Sequence, residues 1–225
     1  MPDIHFTWRG LWDHLRKYVW VYLVGIALCL FATNLLWTVT RPRLSNEQTV
    51  TICLAGPWSD PAPLQEVADE ALRRTRPFDE GLKEVSFQSL HYDENQYTSQ
   101  MLMVARLSVG ECDAFFASRQ ALDALISAGI LAPLDEAVAG GWPADGDMAP
   151  FRATLTDEET GRSETFLAAL SLEGLDVLAR LGAFDNRDAW LCVTRNGGNT
   201  ETTMKALETV MAALWEKQAE SRVER

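Results

Sequence analysis

A chain of 225 residues with 32 acidic and 20 basic side chains carries a formal charge of -12, a sign that repels phosphate and argues against nucleic acid or anionic headgroups as partners. Its four cysteines and three histidines lie scattered, with no C-x-x-C spacing and no Cys/His cluster, so zinc chemistry and a Ser-His-Asp triad have almost nothing to draw on.

The first predicted element is the uncharged run Tyr18 to Val39, YVWVYLVGIALCLFATNLLWTV. As an α-helix its 22 residues rise roughly 33 Å, against a hydrocarbon core of about 30 Å. Tyr18, Trp20 and Tyr22 at one end and Trp37 at the other suit the headgroup layers, and Asn34 is the one strongly polar interruption. The stretch exceeds the roughly 7 to 15 residues of a signal-peptide core, and no small-x-small site follows it before Arg41-Pro-Arg43, so an uncleaved signal-anchor in the lipid bilayer is expected. Arg9, Arg16 and Lys17 precede the span and Arg41 and Arg43 follow it, a bias toward a cytoplasmic N-terminus and an extracytoplasmic C-terminal domain at the cell membrane. The expected division is a cytoplasmic segment over 1–17, the span over 18–39, a linker over 40–48, an α/β domain over 49–216 and a charged tail over 217–225.

Beyond the span, residues 44–225 hold 30 acids and 15 bases, a net charge of -15. Thr49 to Leu54 reads as a strand and leads through Gly56-Pro57-Trp58-Ser59-Asp60 into a helix, with Asp60 as N-cap, Pro61 at the first helical position and Leu64, Val67, Ala68 and Ala71 buried. Val85 to Leu90 is a second strand. Asn95 caps the next helix, whose buried stripe is Tyr97, Met101, Val104 and Ala105 and whose end is Gly110. Ala114 to Ala117 fits a strand covered on both faces, followed by a brief helix ending at Gly129. Ala139 to Asp147 is loose. Phe151 to Leu155 and Thr165 to Leu170 form a hairpin about residues 157–161, and Trp190 to Thr194 is a last strand before a helix burying Met204, Leu207, Met211 and Leu214. Alternation of strand and helix predicts one doubly wound, mainly parallel α/β sheet. Cys53, Cys112 and Cys192, three in number and flanked by apolar residues, read as small core side chains rather than a disulfide framework.

Tyr97 with Met101, Gly110, Asp113 and Phe115-Phe116, then Ala128 to Asp135 (AGILAPLD), Gly161 to Leu172 and Arg195 to Met211 follow one another in a familiar order. Together they resemble the extracellular solute-binding proteins of ABC importers, the two-lobed type II periplasmic-binding-protein fold. The resemblance implies lobe 1 of that fold. It departs from the family where the second lobe is inserted, because Ser171 and Trp190 are only 19 residues apart. One lobe with an open face covers too little of a small ligand for tight autonomous capture.

Open α/β sheets place ligands at the carboxyl ends of their strands. The polar residues expected there are Trp58, Ser59 and Asp60, then Asp93 and Asn95, then Ser118 and Arg119, with Ser171, Asn196 and Asn199 in later loops. Trp58 suits stacking on a sugar ring or partial burial, while Asp60, Asn95 and Asn199 serve equally as helix caps. No nucleophile elbow, phosphate-binding Gly-rich loop or metal-ligand cluster appears, so neither an enzyme nor a cofactor is expected. Two functions follow: an accessory or partner-binding module of a transport system, or a receptor for a small solute such as a carbohydrate whose second lobe comes from a homodimer or another protein.

Overall fold

The apolar run near the N-terminus is helical in the computed structural model. Helix α1 spans Trp8–Thr40, with non-helical dihedrals at Tyr18 (φ -114°, ψ 15°) where the apolar stretch begins. Among the described residues it is the helix long and apolar enough, by length and composition, to cross a membrane, and none of its apolar window is buried. The Thr33 hydroxyl donates back to the Cys29 carbonyl at 2.8 Å, which removes a free polar group from this surface. The structure describes residues 8–40, 44–142, 148–156, 163–195 and 200–223, and the chain divides into units 1–43 and 44–225.

In the second unit a six-stranded sheet forms from β1 (Thr49–Gly56), β2 (Glu84–His91), β3 (Ala114–Ser118), β4 (Pro150–Thr156), β5 (Ser163–Ser171) and β6 (Ala189–Val193), in the order β2-β1-β3-β6-β5-β4. Strands β2, β1 and β3 pair in parallel, whereas β6 runs antiparallel to both β3 and β5, and β4 to β5. Four strands (β1, β2, β3 and β5) therefore point one way, and the reversed β6 sits between two of them. Helices α2 (Gln65–Thr75), α3 (Tyr97–Val109), α4 (Arg119–Ser127), α5 (Asp135–Ala139), α6 (Asp176–Arg180) and α7 (Thr200–Val223) complete the unit.

The alternation of β1 explains its apolar run. Val50, Ile52 and Leu54 join Phe116, Val67, Leu207 and Met211 in one core cluster, while Cys53 and Ala55 join Phe115, Leu122 and Leu125 in another. With both faces covered, a strand has no position left for a charged residue. Val85, Phe115, Phe116 and Leu191 are buried as expected, and Phe116 meets Phe87 at 5.9 Å between ring centroids. Gly110 closes α3 in the left-handed region (φ 67°), and Gly129 does the same after α4.

Two acids, Asp113 and Asp135, clamp the scaffold. The Asp113 carboxylate accepts the Thr51 N–H at 2.8 Å while Asp113 N–H donates to the Thr51 carbonyl at 2.9 Å, which pins the entry of β3 to β1. Asp135 accepts the Leu167 N–H at 2.7 Å and pairs with Arg152 at 3.1 Å, which holds the β4–β5 hairpin.

Several expectations are corrected. Cys53 and Cys112 form a disulfide, with Cα atoms 5.9 Å apart, and only Cys192 behaves as a buried core thiol. Cys53 itself pairs in register with Phe115, and the chain just before β3 returns Cys112 to its side, a closeness that flanking apolarity does not reveal. In α3 the buried residues are Ser99, Met103 and Leu107, so Tyr97, Met101, Val104 and Ala105 face solvent. Pro61 precedes a 3-10 turn, Ala62–Leu64, and α2 proper starts at Gln65. Residues 217–223, expected as a tail, continue α7, and Gln218 there is buried. The hairpin turn at 157–161 and part of the loose stretch, 143–147, lie outside the described residues.

Candidate functional site

The carboxyl edge of β1 and β3 borders a cavity of about 410 Å³, lined by Pro57, Trp58, Ser118, Arg119, Gln120, Phe184, Asp185, Arg187 and Asp188. Its position follows from topology. Because β6 runs opposite to β3, the loop that enters β6 arrives at the edge from which β1 and β3 leave. Phe184 presses against the end of β1 so closely that a Cβ at Gly56 would lie 2.9 Å from its ring. Glycine is what lets the two segments meet there.

One wall is a chain of aromatic and ionic contacts. The Arg119 guanidinium lies over the Phe151 ring at 4.5 Å and donates to Asp123 Oδ2 at 3.1 Å, and Phe151 meets Trp190 edge-on at 5.3 Å. Trp190 Nε1 in turn donates to Asp188 Oδ1 at 3.2 Å. Asp188 adopts φ 73°, a left-handed conformation that a non-glycine residue holds at some cost, and the bond to Trp190 helps maintain it. Two guanidinium groups, two carboxylates and the indole of Trp58, which is 57% exposed, thus face one recess. Such a set offers a flat apolar surface beside paired ionic groups.

Of the residues expected from sequence, Trp58, Ser118 and Arg119 line the recess. Ser118 also caps α4, its Oγ accepting from Ala121 N–H at 3.4 Å. Ser59 and Asp60 stand beside the recess but are engaged in structure. Ser59 Oγ donates to the Leu54 carbonyl at 3.1 Å and shares a hydrogen bond with Ser89 Oγ at 2.7 Å; Asp60 accepts from Ala62 N–H at 3.0 Å. Asp93 and Asn95 follow β2 and do not line the recess, although Glu94 between them accepts from the lining Gln120 Nε2 at 3.0 Å. Asp93 accepts from Asn95 N–H at 2.9 Å and from Gln96 Nε2 at 3.0 Å, and the first of these bonds holds its carboxyl below the ordinary range. The capping acid at this turn is therefore Asp93, and the cap expected of Asn95 does not form, because α3 begins after Gln96. Ser171 ends β5 and accepts from Glu173 N–H at 3.2 Å. Asn196 and Asn199 lie outside the described residues.

The lining residues that sequence reading passed over are Pro57, Gln120, Phe184, Asp185, Arg187 and Asp188. A signal existed in the polar run Asp185-Asn186-Arg187-Asp188 immediately before an apolar strand, but its use depended on knowing that β6 is reversed.

No protein-family model matches the sequence, and no curated protein sequence matches it. Among solved structures, a TRAP periplasmic solute-binding protein from Colwellia psychrerythraea, crystallised with calcium and pyruvate bound, is similar to this chain at 8% sequence identity and a TM-score of 0.30, over 77% of this chain and 76% of that one.

Proposed function

We propose that this chain is a single-pass membrane protein whose acidic domain stands on the extracytoplasmic side as a one-lobe, solute-binding-like module, and that it binds a partner of a transport system through the recess at the carboxyl edge of its sheet. The observation that carries this reading is an exposed Trp58 in an open recess, with no second lobe among the described residues. Small-ligand sites bury about 70 to 90% of their ligand. A recess walled on one side meets that requirement only when another molecule covers it, and a half-exposed indole is the kind of anchor on which interface energy concentrates.

The side of the membrane is argued from the Cys53–Cys112 bond as well as from charge bias. Disulfides persist in oxidising compartments and are rare in the cytosol. A membrane-impermeant protease applied to intact cells is expected to remove the acidic domain and leave roughly the first 40 residues protected, a length set by the end of a helix that matches the bilayer thickness. Full protection of the domain overturns the orientation.

For the binding role, Trp58→Ala is expected to leave the melting temperature nearly unchanged, since the side chain is mostly exposed, while weakening association with co-purifying membrane proteins at least tenfold. Arg119→Glu should act in the same direction. Unfolding by Trp58→Ala makes the residue core and removes the claim of this face. A saturable heat of small-solute binding to the chain alone replaces the accessory role with that of a direct receptor.

A further inference from the structure

Helix α3 presents an apolar stripe to solvent on a domain that is otherwise strongly acidic. Tyr97 is 72% exposed, Met101 50%, Leu102 46%, Val104 55% and Val109 66%, whereas Ser99, Met103 and Leu107 hold the helix to the sheet. The helix is thus apolar on two sides, and only one of them is covered by the described residues of this chain. Taking about 150 to 200 Å² as the full surface of each such side chain, the stripe exposes roughly 500 Å², at the upper end of the largest patch on ordinary monomers.

We infer that α3 is the two-fold contact surface between two copies of this chain. Charge selects that occupant. The unit carries 30 acids against 15 bases, so most approaches of two copies set carboxylates against carboxylates. Helix α3 is the exception, since none of its 13 residues is acidic. Its one cation, Arg106, is drawn aside to Gln88 Oε1 at 3.2 Å and toward Glu111 at 4.0 Å. A basic partner gains nothing at a neutral stripe and much on the acidic faces elsewhere, while a second copy meets least repulsion here. An antiparallel pair with its axis near Ala105 sets Leu102 of one copy toward Val109 of the other, and the small Ala105 and Ser108 let the helices approach. The area also suffices. Two such stripes bury at most about 1,000 Å² in total, near the lower bound for a specific interface and therefore suited to a dimer that dissociates on dilution.

The test uses the full-length chain in detergent micelles, with its mass followed by sedimentation over a dilution series. The wild-type chain is expected to be a dimer, and Val104→Glu to raise its dissociation constant at least tenfold. Ala179→Glu, which adds the same charge at an exposed position on α6, is expected to leave the constant unchanged. Mixing Val104→Glu with Val104→Lys should restore a dimer that neither forms alone, a rescue that a folding defect cannot produce. Trp58→Ala leaves the dimer intact, so failure here is separable from failure of the partner-binding reading. A wild-type chain that stays monomeric at every concentration overturns the inference, as does a dimer that Val104→Glu leaves unchanged, which would place the contact on another element.

Discussion

Replacing Cys53 and Cys112 together by alanine removes a covalent link between positions 59 apart. For a closed loop of about that size, the entropy returned to the denatured chain is worth about 4 kcal/mol at 25 °C. The bond lies in the interior, with Cys53 0% and Cys112 2% exposed, so the lost sulfur atoms leave space that water cannot cheaply fill and the loss is not offset by solvation. On a unit spanning residues 44–225, about 4 kcal/mol corresponds to a fall in melting temperature of roughly 8 to 16 °C. Urea unfolding of the purified chain, with and without reductant, is the direct assay. Reductant should shift the wild-type midpoint by about as much as the double substitution does and should leave the double variant unmoved. Thiol titration supplies the second readout: in denaturant without reductant only Cys29 and Cys192 react, and with reductant all four cysteines do. A loss below about 1 kcal/mol, well under the usual 2 to 5 for a native disulfide, refutes the loop-entropy argument. Four reactive thiols without reductant refute the bond itself and withdraw its support for the extracytoplasmic side.

Phe116→Ala should destabilise the domain by about 3 to 5 kcal/mol by urea unfolding, because the ring is wholly buried among both strand and helix partners; a loss under roughly 1 kcal/mol would dissolve the assignment of β3. Asp135→Asn tests a pH-dependent clamp. The Leu167 N–H, followed by Arg152, holds the Asp135 carboxyl below its ordinary 3.8, so its stabilisation is complete above that value and disappears as pH falls through the lower folded-state value. The variant should therefore unfold more readily than wild type at pH 7, with the gap closing as the pH falls below the ordinary carboxylate range. A gap that stays constant with pH removes the charge from the explanation.

Periodicity carried the sequence reading through most of the sheet, and it failed where period alone cannot fix phase. In α3 the set Tyr97, Met101, Val104 and Ala105 repeats at helical spacing, but so does Ser99, Met103 and Leu107. Only the packing of the sheet decides which is inside, and it chose the stripe containing a serine because Ser99 Oγ can donate to the Asp93 and Gln96 carbonyls at 2.7 and 2.8 Å. The candidate site was legible to the extent that the strand-end rule reaches. Trp58, Ser118 and Arg119 follow strands whose direction the strand-helix alternation implies, whereas Phe184 to Asp188 precede a strand whose reversal leaves no mark on its five apolar residues. The cysteine pairing belongs to the same class, being set by strand neighbours rather than by spacing.

The short connection between β5 and β6 bears most directly on what the lobe can do alone. Here the junction is closed by bonds within the lobe: Leu172 N–H donates to the Ala189 carbonyl at 2.8 Å, and the buried Asn186 Nδ2 donates to the Glu173 carbonyl at 2.8 Å. Gln218, itself 2% exposed near the end of α7, accepts from Val177 N–H at 3.2 Å and donates to the Gly174 carbonyl at 2.8 Å, which ties the first turn of α6 to the longest helix of the domain. Opening the junction would strand several buried polar groups, each costing roughly 1 to 3 kcal/mol, a sum comparable with the whole stability of a domain. The connection between β5 and β6 is therefore closed by its own packing. Residues 172–188 therefore cannot swing over Trp58 without unfolding the packing of α6 on α7.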